Sequence, residues 1–285
     1  MNLISAYSSY GMGDTLNTRA FLLAYCEQKP QAKSQTQVFT KFPEIFEGDG
    51  FILKPGNPKV YEQFFYRNFG NFIGIPKRYN IPECDKCLAK NAGINFDFNQ
   101  IRLLNWKRED LNFSLPDKFV TINYGHDENN FTNDQIICLK MWSIEYWETL
   151  VKTIGIPVVQ IGKGKYCKDI KGTVLNLTNK LSLKQSAEVM RRALFHIDIE
   201  GGLSILNQHL GGKSVVLFGP TNVEDKGRSF NLNLRNCDCN PCYEGKFGKK
   251  NSLYVPKRNL SCGNRCMQEL TPKYVVEQIY KNKWL

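Results

Sequence analysis

The chain has 285 residues, 42% of them hydrophobic, and a formal net charge of +11 at pH 7. This length can bury one large core or two smaller ones, and no apolar run reaches the roughly 18 residues that a membrane span needs. The positive charge favours anionic partners such as nucleotides, nucleic acid or lipid phosphates, although solubility alone also explains it.

The first residues, MNLISAYSSYGMGD, lack the basic segment and the long apolar segment of a signal peptide. We therefore expect a cytoplasmic protein. Thiols stay reduced in that compartment, where clustered cysteines bind metal more often than they form disulfides.

The chain opens with the pattern of a strand, a glycine turn and a helix. Residues 3–7 form a short apolar run, GMGD at 11–14 makes the turn, and apolar residues then recur at helical spacing. Asp14 either caps this helix or faces a cleft as a general base, and the motif alone favours the cap. From about 40 to 113 the pattern is too weak to place elements, and LPDK at 115–118 indicates a boundary.

After that boundary, strands and helices alternate. Strands are predicted at 119–124, 156–161, 194–199 and 214–218. Helices are predicted to begin after Ser143, at the capping box Ser182–Gln185, at 203–210, and at TPKYVVEQIY with its early proline. Alternation of this kind predicts βαβ units and a mostly parallel sheet, with ligands bound at the carboxyl ends of the strands.

Two glycine-containing turns follow predicted strands. EGGLS at 200–204 and GPT at 219–221 would line one rim of a cleft, and their backbone N–H groups suit a phosphate or a sugar. GKGK at 162–165 lacks the full phosphate-loop pattern, so we interpret it as an ordinary loop. The histidines, His126, His196 and His209, are expected to be structural; His126, after a strand, is the one placed for a cleft.

Half of the ten cysteines lie between 237 and 266. Two close pairs, Cys239-x2-Cys242 and Cys262-x3-Cys266, have the spacing of a four-thiolate zinc or iron site, with Cys237 as a replacement for Cys239. Reduced thiols without metal and disulfides are the alternatives. The loop between the pairs is basic, and the further pair at positions 84 and 87 has no second pair near it.

The ordered set of these motifs resembles the family 9 glycosyltransferases, which include the heptosyltransferases. The run 175–222 is similar to the donor-binding half of that family, GMGD to its N-terminal Gly-x-Gly-Asp, and LKMW at 139–142 to its Lys-x-Trp segment. The C-terminal cysteine pattern is similar to the iron-binding finger of heptosyltransferases that modify autotransporter proteins.

This resemblance implies an α/β protein of the GT-B type, with two Rossmann-like domains facing a cleft. Residues 1–114 would form the acceptor-side domain, and 115–285 the donor-binding domain with a metal-binding finger at 237–266. The implied activity is inverting transfer of a heptose or hexose from a nucleotide diphosphate donor to a glycan, glycolipid or protein acceptor. A homo-oligomer is compatible with it.

The resemblance also assigns roles to residues. Asp14 is the implied catalytic base, the four paired cysteines hold structural zinc or iron, and no catalytic metal is expected. The implied donor-binding residues are Gly11, Gly13, Lys140, Glu200, Gly201, Gly202, Ser204, Gly219, Pro220 and Thr221.

Some positions depart from the family. Glu200 stands where aspartate is usual, Gly201 replaces threonine or serine, Ile205 replaces a histidine, and Ser143 replaces a proline. The alternative hypothesis is therefore an inactive glycosyltransferase-like module that binds nucleic acid or another anionic partner through the basic finger.

Overall fold

A computed structural model describes residues 4–8, 11–54, 92–125, 136–164, 167–239, 254–256 and 262–285. The chain divides into two compact units, Met1–Lys107 and Arg108–Leu285. The division falls near the boundary that LPDK predicts.

The first unit contains a parallel sheet packed with one long helix. Its described strands lie in the order β1-β2-β3. In chain order the elements are β1 Ile4–Ser8, α1 Met12–Gln28, a 3-10 helix Pro30–Gln35, β2 Thr36–Thr40, a second 3-10 helix Pro43–Phe46, and β3 Ile52–Lys54. The predicted strand and helix at the start of the chain are confirmed, but the helix begins at Met12, so within the predicted GMGD turn only Gly11 precedes it.

A buried ion pair holds α1 to later parts of this unit. Arg19 Nε and Nη2 donate to the two carboxylate oxygens of Asp49, at 2.7 and 2.9 Å. Its Nη1 and Nη2 donate to the carbonyls of Arg102 and Leu103. Both charged side chains are almost fully buried, so the segments around 49 and 102–103, in the region where sequence predicted no elements, are fixed by one arginine.

The second unit is a doubly wound α/β domain. Its parallel sheet has the strand order β10-β9-β8-β4-β6-β7, and β11 pairs antiparallel with β5. In chain order the elements are β4 Val120–Asn123, β5 Ile136–Cys138, α2 Ile144–Thr153, β6 Val158–Ile161, β7 Leu175–Asn176, α3 Leu183–Arg192, β8 His196–Ile199, α4 Gly202–His209, β9 Ser214–Leu217, α5 Val223–Lys226, β10 Leu232–Leu234, β11 Tyr254–Pro256, α6 Arg265–Gln268 and α7 Pro272–Lys281.

The helix starts follow the predicted caps. Ser143 accepts a hydrogen bond from the backbone of Tyr146, and Thr271 caps α7 ahead of its proline. Ser182 and Gln185 form a complete capping box at the start of α3. These bonds satisfy N–H groups that the first turn of a helix leaves unpaired.

The core of the second unit joins the sheet to the C-terminal helix. Trp142 and Trp147 are buried and meet edge to face, with ring centroids 4.9 Å apart. Trp142 Nε1 donates to the carbonyl of Leu270 at 2.7 Å, which ties the start of α2 to the segment before α7. Among the described helices, none is both long and apolar enough to cross a membrane.

Arg108, the first residue of this unit, is paired with a buried carboxylate. Glu188 on α3 accepts from Arg108 at 3.3 Å and from Arg192 at 2.8 Å. Burial alone would raise the pKa of Glu188, but hydrogen bonds from these arginines outweigh it and lower that pKa below its usual range. The chain entering the second unit is therefore held to α3 by charge.

Candidate functional site

Strand order places a crevice between the two central strands of the second unit. From β4, the strand order first grows toward one edge of the sheet, with β6 and then β7. It then grows toward the opposite edge, with β8, β9 and β10. Sheets of this kind bind ligands beside the carboxyl ends of the strands where the order reverses. Here that point lies between β4 and β8, and the segments that follow β6, β8 and β9 surround it.

Lys140 and Glu200, two of the predicted donor-binding residues, meet at this edge. They are 60 residues apart in sequence, yet Lys140 Nζ donates to the Glu200 carboxylate. The Lys140 and Glu200 side chains are only 10% and 13% exposed. The pair is neutral overall, so an anionic ligand would share the Lys140 ammonium with Glu200 or replace Glu200 as its partner.

The glycines after β8 leave the start of α4 open. Gly201 is the N-cap in extended conformation, without a side-chain cap, and a Cβ there would meet only the Ile199 carbonyl, at 3.6 Å. Ser204 Oγ donates to the Gly201 carbonyl at 2.7 Å. Gly202 begins the helix, so its N–H belongs to the first turn, where helices leave donors for an anion or a hydroxyl.

The turn after β9, residues 219–221, is buried, and its glycine and its threonine have different surroundings. A Cβ on Gly219 would lie 2.3 Å from Met267 Sδ, so glycine is needed there for packing, whatever else it does. Pro220 is buried beside it. Thr221 is 1% exposed and its hydroxyl has no hydrogen-bond partner among the described residues. A buried, unpaired hydroxyl is costly, so a ligand that pairs with it would recover that free energy.

The glycine loop after β6 is braced by one asparagine. Gly162 and Gly164 both have positive φ, 132° and 143°. Asn179 Oδ1 accepts from the backbone N–H of Gly164 at 2.8 Å, and the Asn179 N–H donates to the Gly162 carbonyl at 2.9 Å. Residues 162–164 of the loop that we interpreted as ordinary therefore have a fixed shape at the rim of the crevice.

Four polar side chains that were not predicted for the site lie on the neighbouring strands β4 and β8. Asn123 Nδ2 donates to both Asp198 oxygens, at 3.2 and 3.4 Å, and His196 Nε2 lies 3.4 Å from Asp198 Oδ2. Thr121 Oγ1 lies 3.0 Å from His196 Nδ1. Burial raises the pKa of Asp198. Polar residues at alternate strand positions were the one signal available in the sequence.

In the first unit, the first turn of α1 carries the predicted base, Asp14. Gly11 is the N-cap of α1, with extended backbone, and Asp14 is the third residue of the helix. Asp14 is therefore not the N-cap residue. Gly13 is buried, and Asp14 is half-buried in the first turn, where the helix dipole favours a carboxylate.

The described cysteine segments lie side by side. Asn236 Nδ2 donates to the Glu269 carbonyl and Arg265 pairs with Asp238, both at 2.8 Å, so residues 236–239 contact the segment that carries Cys262 and Cys266. The Cys237 and Cys239 sulfurs are 3.1 Å apart. Burial and the Cys239 thiol raise the pKa of Cys237 to about 11.

The four-cysteine set stays a prediction. Cys266 is buried against Gly219, and Cys262 is exposed. The described residues that bring potential metal ligands within 4.8 Å of one another are Cys237, Asp238 and Glu269, a set that includes the replacement cysteine. Cys242, Cys84, Cys87, His126 and the basic loop at 243–253 lie outside the described residues.

The sequence matches no known protein-family profile and no curated protein. Solved structures do share its fold. The dodecameric iron-containing heptosyltransferase TibC in complex with ADP-D-beta-D-heptose has a TM-score of 0.70 at 15% identity, over 100% of this chain and 79% of TibC; TibC comes from enterotoxigenic E. coli H10407.

Two further E. coli structures are similar. The ADP-heptose lps heptosyltransferase II has a TM-score of 0.57 at 13% identity, over 99% of this chain and 98% of that chain. The heptosyltransferase WaaC with ADP has a TM-score of 0.56 at 14% identity, over 99% and 100%. At these identities the similarity establishes the fold, which is the fold of heptosyltransferase structures.

Proposed function

We propose that this protein is a glycosyltransferase that moves a sugar from a nucleoside diphosphate donor to an acceptor hydroxyl. The observation that carries the proposal is the Lys140–Glu200 pair, buried at the carboxyl ends of the strands in a heptosyltransferase-like fold. TibC is described in complex with ADP-D-beta-D-heptose, so ADP-heptose is the first donor to test.

The donor would bind through its diphosphate at the crevice in the second unit. Lys140 would pair with phosphate charge there by sharing its ammonium with Glu200 or leaving Glu200 for the phosphate. The N–H groups at the start of α4 and the Thr221 hydroxyl supply neutral hydrogen bonds. Since these neutral groups are held before the reaction begins, they stabilise the developing charge of the leaving diphosphate without reorganising.

The reaction would be a single displacement with inversion. Asp14 accepts the proton of the acceptor hydroxyl as its oxygen forms a bond to the anomeric carbon. The bond from that carbon to the phosphate oxygen breaks, and the nucleoside diphosphate leaves with the electron pair. This role requires the Asp14 carboxylate to reach the acceptor while the donor is bound, and no metal takes part in the step.

A donor panel tests the activity. Wild-type protein is incubated with ADP-heptose and with ADP-, GDP- and UDP-hexoses, and release of the nucleoside diphosphate is measured. Asp14→Asn is expected to abolish this release, in which water takes the place of the acceptor, while donor affinity stays within about threefold, because the base acts only on the proton of the attacking hydroxyl. Lys140→Met is expected to weaken donor binding by about tenfold or more. If no nucleotide or nucleotide sugar binds the wild-type protein, the proposal is wrong.

We further propose a structural metal, iron or zinc, held by Cys239, Cys242, Cys262 and Cys266, with Cys237 as the replacement ligand. Tetrahedral thiolates with bonds of about 2.3 Å lie roughly 3.8 Å apart. The Cys237 and Cys239 sulfurs are closer than that, at 3.1 Å, so one of the two, and not both, would fill a single ligand position. Thiolate ligands suit both metals, and the metal would supply rigidity to the finger.

Metal analysis of protein purified without chelator tests the second proposal. About one equivalent of iron or zinc is expected, and Cys262→Ser should lose it, whereas Cys26→Ser, at a buried cysteine in the first unit, should not. Metal-free wild-type protein with an intact fold would overturn it. TibC is described as dodecameric, so we also propose a homo-oligomer, to be checked by light scattering.

A further inference from the structure

The two central strands of the second unit separate toward their carboxyl ends. β4 is paired with β6 up to Asn123–Ile161, and β8 with β9 up to Ile199–Leu217. Between β4 and β8, pairing ends at Ile122–Ile197, which is one residue earlier along β4 and two residues earlier along β8. The next residues along the two strands, Asn123 and Asp198, meet through their side chains instead.

The Asp198 carboxylate lies on the face of the sheet that also carries Asn123 and His196. It accepts from its neighbour's backbone, Ile199 N–H, at 2.8 Å, and from Asn123 Nδ2 at 3.2 Å. Its other neighbour, His196, is hydrogen-bonded in turn to Thr121. Every hydrogen bond that the structure gives Asp198 therefore comes from the two strands that border the crevice.

Stability does not explain this arrangement. Asp198 is 1% exposed and His196 is 0% exposed, in the middle of a parallel sheet where their pairing partners are Thr121 on β4 and Ser214 and Val216 on β9. Burying an ionisable group is expensive, and apolar residues of similar size are usually at least as stable in such places. Where a sequence breaks a local rule of this kind, a functional reason is expected.

The bridge also reaches the loop after β6. A Cβ on Gly162 would lie 2.4 Å from Asn123 Oδ1, so the asparagine amide packs directly on that glycine. Asn123 thus spaces three segments at the rim of the crevice: the end of β4, the end of β8 and the loop braced by Asn179.

We propose that the Asn123–Asp198 bridge sets the width of the crevice for the nucleoside diphosphate part of the donor, which makes both of them positioning residues. The inference rests on the proposed function. Glu200 lies two residues beyond Asp198, so the bridge also fixes the strand end from which the Lys140–Glu200 pair is built.

The test measures nucleotide affinity in a double-mutant cycle. ADP, GDP and UDP are titrated calorimetrically into wild type, Asp198→Asn, Asn123→Ala and the double variant, with circular dichroism as the check on folding. Each single substitution is expected to lower the affinity for the nucleotide that wild type prefers by about tenfold. The double variant should bind that nucleotide no less tightly than the weaker-binding single variant, because both substitutions remove the same bridge.

Asp169→Asn is the matched control. Asp169 accepts from Asn176 at 2.6 Å, an exposed pair of the same chemistry at the edge strand β7, and its loss should leave affinity within about twofold. If Asp198→Asn does not fold, Asn123→Ala at the half-buried strand end decides. Unchanged nucleotide affinity in a folded Asn123→Ala, or additive losses of affinity in the cycle, would overturn the proposed role of the bridge and leave the proposed function standing. A wild type that binds no nucleotide would overturn the proposed function and this inference together.

Discussion

Asp49→Asn is expected to destabilise the first unit strongly. The Arg19 and Asp49 side chains are 1% and 3% exposed, so the substitution leaves a buried guanidinium without its counter-charge. Removing one partner of a buried pair costs about 3–5 kcal/mol. The Arg102 and Leu103 carbonyls still accept from Arg19, and the new amide oxygen accepts one bond, so we expect the lower end, about 3 kcal/mol.

That loss is large relative to the total stability of a domain, about 5–15 kcal/mol. It corresponds to a change of more than about a hundredfold in the unfolding equilibrium. Hydrogen exchange read by mass spectrometry on peptides from α1 measures it within the first unit, and urea unfolding of the whole chain checks it independently.

Glu27→Gln is the matched control, because it breaks an arginine–carboxylate pair at the surface of the same unit. Glu27 is 56% exposed where it meets Arg102, and such pairs contribute about 0–1 kcal/mol. If α1 exchanges at the same rate in Asp49→Asn as in Glu27→Gln, the argument from burial is refuted. An Arg19→Met, Asp49→Leu double variant is expected to recover much of the loss, since no charge stays buried.

Three further predictions follow from single residues. Glu188→Gln should cost about 1–2 kcal/mol at pH 7, a value reduced because its arginine partners are partly exposed. Since the folded pKa of Glu188 is lowered, this stabilisation is present above the unfolded pKa of about 4.3 and disappears as pH falls through the folded pKa. Urea unfolding should therefore show a difference in unfolding free energy between wild type and Glu188→Gln that is smaller at pH 3 than at pH 7. Gly219→Ala should cost about 1–3 kcal/mol by clashing with Met267, and Met267→Ala in the same chain should relieve the clash; thermal unfolding measures both. Thr221→Val should leave stability unchanged or raised, because it removes an unpaired buried hydroxyl, while calorimetry should show nucleotide affinity reduced by about tenfold. Unchanged affinity would exclude Thr221 from the site.

Much of the second unit could be predicted because its signals are local. The caps at Ser143, Ser182 and Thr271 close hydrogen bonds within three residues, so their sequence pattern is sufficient. The apolar runs that predict β6 and β9 are equally local. The short strands β5, β7, β10 and β11 have two or three residues each, too few for any periodicity to show, and were not predicted.

The candidate site divides in the same way. Its glycine turns and its lysine were found from the order of motifs along the chain. The pairing of Lys140 with Glu200 was not, although both residues were named, because it depends on how the loop before α2 folds over the end of β8.

The sequence by itself determined the alternation of strands and helices, the helix starts, and the glycine turns that follow β8 and β9, since each depends on residues a few positions apart. Only the tertiary structure decided which polar residues are partners. Arg19 and Asp49 are separated by 30 residues, and Asn123 and Asp198 by 75. A polar residue inside a strand looks the same in sequence whether it faces water or a buried partner, and that choice is made by which strands become neighbours in the sheet.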